Sequence, residues 1–162
     1  MKPTDLSIDD YYNAVKIFHD ESDRAAAVLA GSLIENYLAK YLISFMIDDK
    51  KVLDLFDGFG PFASYSQRVS TAYAFGYITK EQKNDLDYIG KIRNHFAHHP
   101  HEATFDREPV CSFCQILSAN TLFPLPGQQS NPISENRYRY LFAINKLIFE
   151  WDKAMLATKD RS

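Results

Sequence analysis

A short stretch near the middle of the chain concentrates side chains that could do chemistry. Between Lys91 and His101 lie four of the five histidines of the protein: His95, His98, His99 and His101. Asp87, Asn94 and His98 are separated by seven and four residues, so a helix places them on one face. A carboxylate, an amide and an imidazole on one face could line a functional cleft. An ordinary solvated face is the alternative interpretation.

The same stretch begins a weak metal-binding pattern. Two histidine pairs with ligating spacing are followed by a CxxC: His95 and His99, His98 and His101, and Cys111-Ser112-Phe113-Cys114. Cysteine and histidine pairs are the ligands of many zinc sites. Pro100 interrupts the histidine geometry, however, and the two cysteines also fit the spacing of a helical core. We predict no metal and no cofactor, with zinc at His98, His101, Cys111 and Cys114 as the weaker alternative.

Two charged residues lie on apolar helical stripes. Glu35 shares a face with Val28, Gly31, Leu38 and Leu42, and Arg93 shares one with Leu86, Ile89 and Phe96. A buried carboxylate must be paired, hydrogen-bonded or protonated. We therefore predict that Glu35 and Arg93 form a structural ion pair across a helix–helix contact, bidentate if the geometry allows. Asp23 and Arg24, at the start of the helix that carries Glu35, are further structural candidates.

The elements that would position these residues are helices. Apolar spacing and capping residues predict helices over about 6–18, 22–47, 64–75, 79–98, 106–117 and 134–156, with a short helical turn over 51–56. The segment 121–132 is predicted to be a loop. No run alternates with period two between hairpin turns, so we predict no sheet. The expected fold is all-α: one bundle of about six helices over residues 1–162, with the helix over 22–47 at its centre.

Composition excludes several classes of protein. The 162 residues suit one domain, and 18 basic against 21 acidic residues give a formal charge of −3, unlike a compact DNA reader. Two cysteines exclude a disulfide framework. The polar N-terminus lacks a secretory signal, and the longest apolar stretch, 38–47, is interrupted by Lys40 and Ser44 and is too short to span a membrane. We expect a soluble, cytoplasmic protein.

Aromatic residues make up 14% of the chain, which is more than one small core requires. The surplus could supply an interface, since aromatic side chains are enriched where proteins meet. We predict that a homodimer or partner surface draws on the tyrosines, with these candidates: Tyr11, Tyr12, Tyr65, Tyr138 and Tyr140.

An ordered series of segments is more specific than any single motif. It comprises Glu21-Ser22-Asp23-Arg24 before an alanine-rich helix with Glu35, then Leu55-Phe56-Asp57-Gly58, Ser64-Tyr65-Ser66-Gln67-Arg68-Val69, Ala72-Tyr73-Ala74-Phe75-Gly76-Tyr77-Ile78, and Asp85-Leu86-Asp87-Tyr88-Ile89-Gly90-Lys91-Ile92-Arg93-Asn94-His95-Phe96-Ala97-His98. The series resembles the mannitol operon repressor family (MtlR/MltR), with family-like sequence over about 20–157. The resemblance implies a small all-helical bacterial regulator without a DNA-binding domain, acting as a co-repressor through protein contacts.

A second, shorter resemblance lies inside the same series. Arg93-Asn94, three further residues and His98 resemble the RNxxxH motif of HEPN-domain ribonucleases. This resemblance implies metal-independent RNA cleavage, in which His98 transfers protons, Arg93 stabilises the phosphorane and Asn94 orients the phosphate. Such an enzyme would act as a toxin or in phage defence. An offset of five residues turns Arg93 and His98 about 140° apart around a helix, so they would converge only at a frayed end or across a dimer.

The favoured interpretation is a non-enzymatic regulator that binds a protein partner, with a DNA-binding regulator among the candidate partners. Direct DNA binding is disfavoured by the charge balance, and RNA is a partner only under the ribonuclease alternative. The Glu35–Arg93 pair and the charged residues Asp23 and Arg24 would then be architectural.

Overall fold

The computed structural model describes residues 3–18, 20–118 and 134–159. Six α-helices and one short 3-10 helix make up this part of the chain: α1 (Ile8–Ile17), α2 (Asp23–Ile43), the 3-10 helix (Lys50–Phe56), α3 (Tyr65–Ala74), α4 (Lys80–His98), α5 (Val110–Ile116) and α6 (Glu135–Lys159). These residues include no strand, and the predicted all-α bundle is confirmed. The predicted loop over 121–132 lies outside the described residues.

Side-chain caps fix where the helices begin. Ser7, Ser22, Ser64 and Thr79 each accept a hydrogen bond from the backbone N–H three residues later, as the sequence predicts for these positions. Gln82 completes the predicted capping box at the start of α4 by accepting from the backbone N–H of Thr79. The starts of these helices are therefore fixed by hydrogen bonds between residues that are close in sequence.

Two helix boundaries differ from the prediction. α2 ends at Ile43 rather than near residue 47, because the Ser44 hydroxyl donates to the Tyr41 carbonyl and the next residues form tighter turns. α5 begins only at Val110, because Pro109 has no backbone N–H to donate. In both cases a polar or proline residue overrides an apolar pattern that continues past it.

α2 is the centre of the bundle, as predicted. It packs against α1, α3, α4 and α6, and its buried residues lie on more than one face. Small side chains at Ala26, Ala27 and Ala30 let neighbouring helices approach, while Ile34 and Leu38 fill the space between them. None of the helices in the described ranges is both long enough and apolar enough to cross a membrane.

The tyrosines predicted to form a partner surface are mostly in the core. Tyr11, Tyr138 and Tyr140 are buried, and the remaining two are half-buried. A phenol can be buried when its hydroxyl finds a partner inside. The Tyr140 hydroxyl donates to the Ala27 carbonyl at 2.7 Å, and Tyr11 hydrogen-bonds the Asn36 side chain. The prediction was wrong because it did not anticipate these internal partners.

Truncation of a core residue on α2 should destabilise the bundle strongly. Ile34 is fully buried, so Ile34→Ala should lower the free energy of unfolding by about 2–5 kcal/mol through lost burial and a residual cavity. Leu29→Ala on the same helix is the matched control, because Leu29 is exposed and its loss should cost under about 1 kcal/mol. Urea unfolding followed by circular dichroism measures both, and equal losses would contradict the central placement of α2.

Candidate functional site

Glu35 and Arg93 meet where α2 crosses α4, as predicted. Arg93 Nη1 lies 2.6 Å from Glu35 Oε2, and both side chains are partly shielded, with exposed fractions of 19% and 27%. The contact joins one nitrogen to one oxygen and is not bidentate, because the second oxygen of Glu35 faces Arg68 at 3.7 Å. The carboxylate is therefore held between two guanidinium groups.

Two glycines make room for the Arg93 side chain and the ring beneath it. A Cβ on Gly31 would lie 2.7 Å from Arg93 Cδ, so the aliphatic part of Arg93 passes directly over α2. The guanidinium carbon of Arg93 lies 4.9 Å from the centre of the Tyr65 ring, a cation–π distance. That ring fits because Gly90 has no side chain, and its hydroxyl donates to the Leu86 carbonyl at 2.7 Å.

Arg68 is a member of this cluster that sequence analysis did not select. It is only 2% exposed, and it donates through Nε to the Phe62 carbonyl at 2.7 Å and through Nη1 to the Glu35 carbonyl at 3.2 Å. Burial lowers the pKa of the Arg68 guanidinium, and the Glu35 carboxylate opposes that shift. Helical spacing could have identified Arg68, because it lies three residues after Tyr65 and four before the buried Ala72 and so shares their face.

Asp23 has a structural partner on the last helix. Its carboxylate pairs with Arg137 Nη1 at 3.2 Å and accepts from the Phe105 backbone N–H at 3.2 Å. Arg137 is buried and also donates to the Phe18 carbonyl. This contact ties the start of α2 to α6 and to the segment before α5. Arg24, the neighbouring candidate, is exposed.

The three residues predicted to share a face of α4 form separate contacts. Asp87 pairs with Lys83 at 2.6 Å, one turn earlier on the same helix. Asn94 is exposed, and its Oδ1 lies 3.4 Å from Arg93 Nε. His98 is exposed at the last position of α4. Arg93 therefore contacts Glu35 and Asn94, while His98 lies at the solvent-facing end of the helix.

The structure does not bring the four residues of the weaker zinc alternative together. Within the described part of the chain, no three His, Cys, Asp or Glu side chains converge as metal ligands. His98 and His101 are exposed, whereas Cys114 is buried in the core, where burial raises the pKa of its thiol to about 12. Cys111 is half-buried, and its sulfur accepts from Asn136 at 3.4 Å. The cysteines therefore belong to helix packing, as their spacing also allowed.

A buried carboxylate on α4 was missed as well. Asp85 is 1% exposed and accepts from the backbone N–H of Ser118 at 2.9 Å and from its hydroxyl. Lys146 on α6 reaches the same hydroxyl at 3.2 Å. Asp85 shares its helical face with the buried Ile89 and Ile92, a spacing that could have identified it. It fixes the chain just after α5.

Two of the exposed aromatic residues, Phe45 and Phe75, belong to a chain of ring contacts that begins in the core. A continuous series of ring contacts, which we term the aromatic column, runs from the core to the surface: Trp151, Tyr41, Phe45, Tyr77 and Phe75. The Phe45 and Tyr77 rings stack with centroids 4.0 Å apart, and the Tyr41 hydroxyl donates to the Tyr77 carbonyl at 2.9 Å. Phe75, at the outer end, is 66% exposed.

Comparison with known proteins identifies one similar structure at the level of the fold. The chain superposes on the crystal structure of the MtlR–HPr complex from Escherichia coli with a TM-score of 0.66 and 18% identity. The match covers 88% of this chain and 98% of the other. At this identity the likeness shows a shared fold alone. Neither a protein-family model nor a curated protein matches the sequence.

A double-mutant cycle should show that Glu35 and Arg93 stabilise the bundle jointly. Glu35→Gln and Arg93→Met keep most of the side-chain volume, and their coupling energy should be about 1–3 kcal/mol because the pair is partly shielded from water. The control cycle is Glu135 and Arg139 on α6, 3.1 Å apart with Glu135 67% exposed, where about 0.3–0.5 kcal/mol is expected. Denaturant unfolding measures both cycles; additivity at Glu35 and Arg93 would refute a stabilising pair.

Gly31 offers a second test, because the stability change caused by Gly31→Ala should reverse its sign when the side chain at position 93 is removed. Alanine normally stabilises a helix interior by about 1 kcal/mol over glycine. Gly31→Ala should nevertheless destabilise the wild-type protein, because the new methyl group would displace Arg93. In an Arg93→Gly background, which also removes the Arg93 Cβ that lies 3.0 Å away, the same change should stabilise by about 1 kcal/mol. Thermal unfolding of the four proteins is the measurement, and stabilisation of the wild type by Gly31→Ala would contradict the close approach.

Proposed function

We propose that this protein is a cytoplasmic regulator of the mannitol-repressor type that acts by binding another protein, and that it neither catalyses a reaction nor reads DNA directly. The observation that carries the proposal is the exposed end of the aromatic column, a surface suited to a protein partner. The fold likeness to a regulator solved in complex with HPr supports the class of partner.

The charged residues that could do chemistry are engaged in packing. Arg93 binds Glu35 over the backbone of α2, and Asp23 binds Arg137. A guanidinium that already neutralises a carboxylate is poorly placed to stabilise a developing phosphorane, because its charge is largely compensated. Together with the formal charge of −3, this favours a binding protein over a ribonuclease.

The aromatic column has the properties of a docking surface. Phe75 is 66% exposed, while Tyr41 and Trp151 at the inner end are buried. The outer rings therefore stack on buried rings, so they have little side-chain conformational entropy left to lose on binding. Exposed aromatic side chains on a rigid base are typical of interface anchors.

HPr encoded by the same genome is the partner with which to test the proposal. Isothermal titration calorimetry should show one HPr bound per chain, and Phe75→Ala should weaken the affinity at least tenfold, about 1.4 kcal/mol. Phe149→Ala is the matched control, because Phe149 is 58% exposed on α6 and is not part of the column. Its affinity should equal that of the wild type.

Four results would overturn the proposal, each in a different way. No binding of HPr would exclude that partner, and equal affinity of Phe75→Ala would exclude the column. Sedimentation velocity on the protein alone shows whether a second copy, the predicted homodimer, covers the column instead. Cleavage of RNA that is lost in His98→Ala, an exposed position, would establish the ribonuclease alternative.

A further inference from the structure

His95 and His99 form a pair at the carboxyl end of α4 that the proposed function does not use. The two residues are one helical turn apart, and their rings lie nearly parallel, with centroids 4.2 Å apart and an angle of 20° between the planes. His99 is exposed and His95 is half-buried. Neither ring forms an ion pair with a carboxylate in the described part of the chain. The pair is therefore open to an incoming group.

The hydrogen bond of His99 determines which of its nitrogens is free. Nδ1 of His99 lies 3.1 Å from the backbone carbonyl of His95. A carbonyl oxygen can only accept, so Nδ1 carries the hydrogen. In the neutral ring the lone pair is then on Nε2, which points away from that carbonyl. This is the arrangement in which metal-binding histidines are usually held, with one nitrogen donating to a carbonyl and the other free to ligate.

His95 is suited to carry a lone pair near neutral pH. Burial lowers the pKa of His95, and the neighbouring His99 lowers it further. A ring that resists protonation competes better for a metal ion, because ligation requires the neutral imidazole. The unpaired carbonyls at the end of α4 add partial negative charge, which favours a cation at this position.

We infer that His95 and His99 chelate a divalent late first-row metal ion (Zn²⁺, Ni²⁺ or Cu²⁺) through one nitrogen of each ring, with water completing the coordination. Metal–nitrogen bonds of about 2.0–2.1 Å place two tetrahedral ligand nitrogens roughly 3.3 Å apart. Because each lone pair lies in the plane of its ring, the nearly parallel rings do not converge as they stand. His95 must turn about its Cβ–Cγ bond until its lone pair and that of His99 meet at one ion. Two protein ligands make an open site, unlike a closed structural zinc site.

The other two histidines of the stretch provide controls. His98 and His101 are both exposed. His98 is the last residue of α4, and its ring is not the one stacked on His95, whereas His101 follows Pro100 beyond the helix. Their removal leaves the pair intact, although the number of histidines falls equally.

The test uses the untagged full chain and titrates it with NiCl₂ and ZnCl₂ by isothermal titration calorimetry. One ion per chain is expected, with affinity reduced at least tenfold in His95→Ala and His99→Ala and less than twofold in His98→Ala and His101→Ala. Histidine-ring NMR signals of the wild type provide a measurement that does not depend on variants. Zn²⁺ should shift the His95 and His99 signals first, and EDTA should reverse the shift.

Equal losses in all four variants, or Zn²⁺ shifts confined to His98 and His101, would overturn the inference. Binding of HPr by His95→Ala should equal that of the wild type, so the metal site and the proposed function can fail separately.

Discussion

A carboxylate held between two guanidinium groups is the constraint on which the arrangement of this bundle depends. Glu35 projects from α2 into the contact with α3 and α4, where a charge without partners would be costly. Arg93 from α4 and Arg68 from α3 supply the opposite charge. Because Arg68 is also bonded to the Phe62 carbonyl, the same carboxylate orders the segment before α3. The Glu35 carboxylate therefore constrains the positions of α2, α3 and α4 and of the segment before α3.

The pairing of Arg93 with Glu35 also restricts which uncharged residues can lie nearby. Arg93 can reach Glu35 only by crossing α2 at Gly31, where any larger residue would collide with its aliphatic part. Tyr65 can lie beneath the guanidinium only because Gly90 leaves space for its ring. Two glycines that weaken helix propensity are thus explained by close approach. The second polar tie, between Asp23 and Arg137, closes the other end of α2 against α6.

Local signals predicted most of the fold, because they act through nearby residues. Capping residues placed the helix starts, and the offset between Glu35 and its apolar neighbours identified the ion pair with Arg93. Arg68 and Asp85 escaped notice because their partners include backbone groups, the Phe62 carbonyl and the Ser118 N–H, which no sequence pattern displays. The tyrosine prediction failed for the same reason: the Ala27 carbonyl that accepts from Tyr140 becomes a partner only in the folded chain.

Residue types alone therefore do not distinguish the side chains that pack in this molecule from those available to bind another molecule. An arginine and a cysteine near the middle of the chain match catalytic and metal-binding patterns, yet packing uses Arg93 and Cys114. Phe75, the outer ring of the aromatic column, is among the apolar side chains that packing leaves exposed. Phe75 is 66% exposed, whereas other phenylalanines of the bundle are fully buried. A large apolar side chain held in water on a base of stacked rings adds little stability, which is why we propose it as the contact with a protein partner.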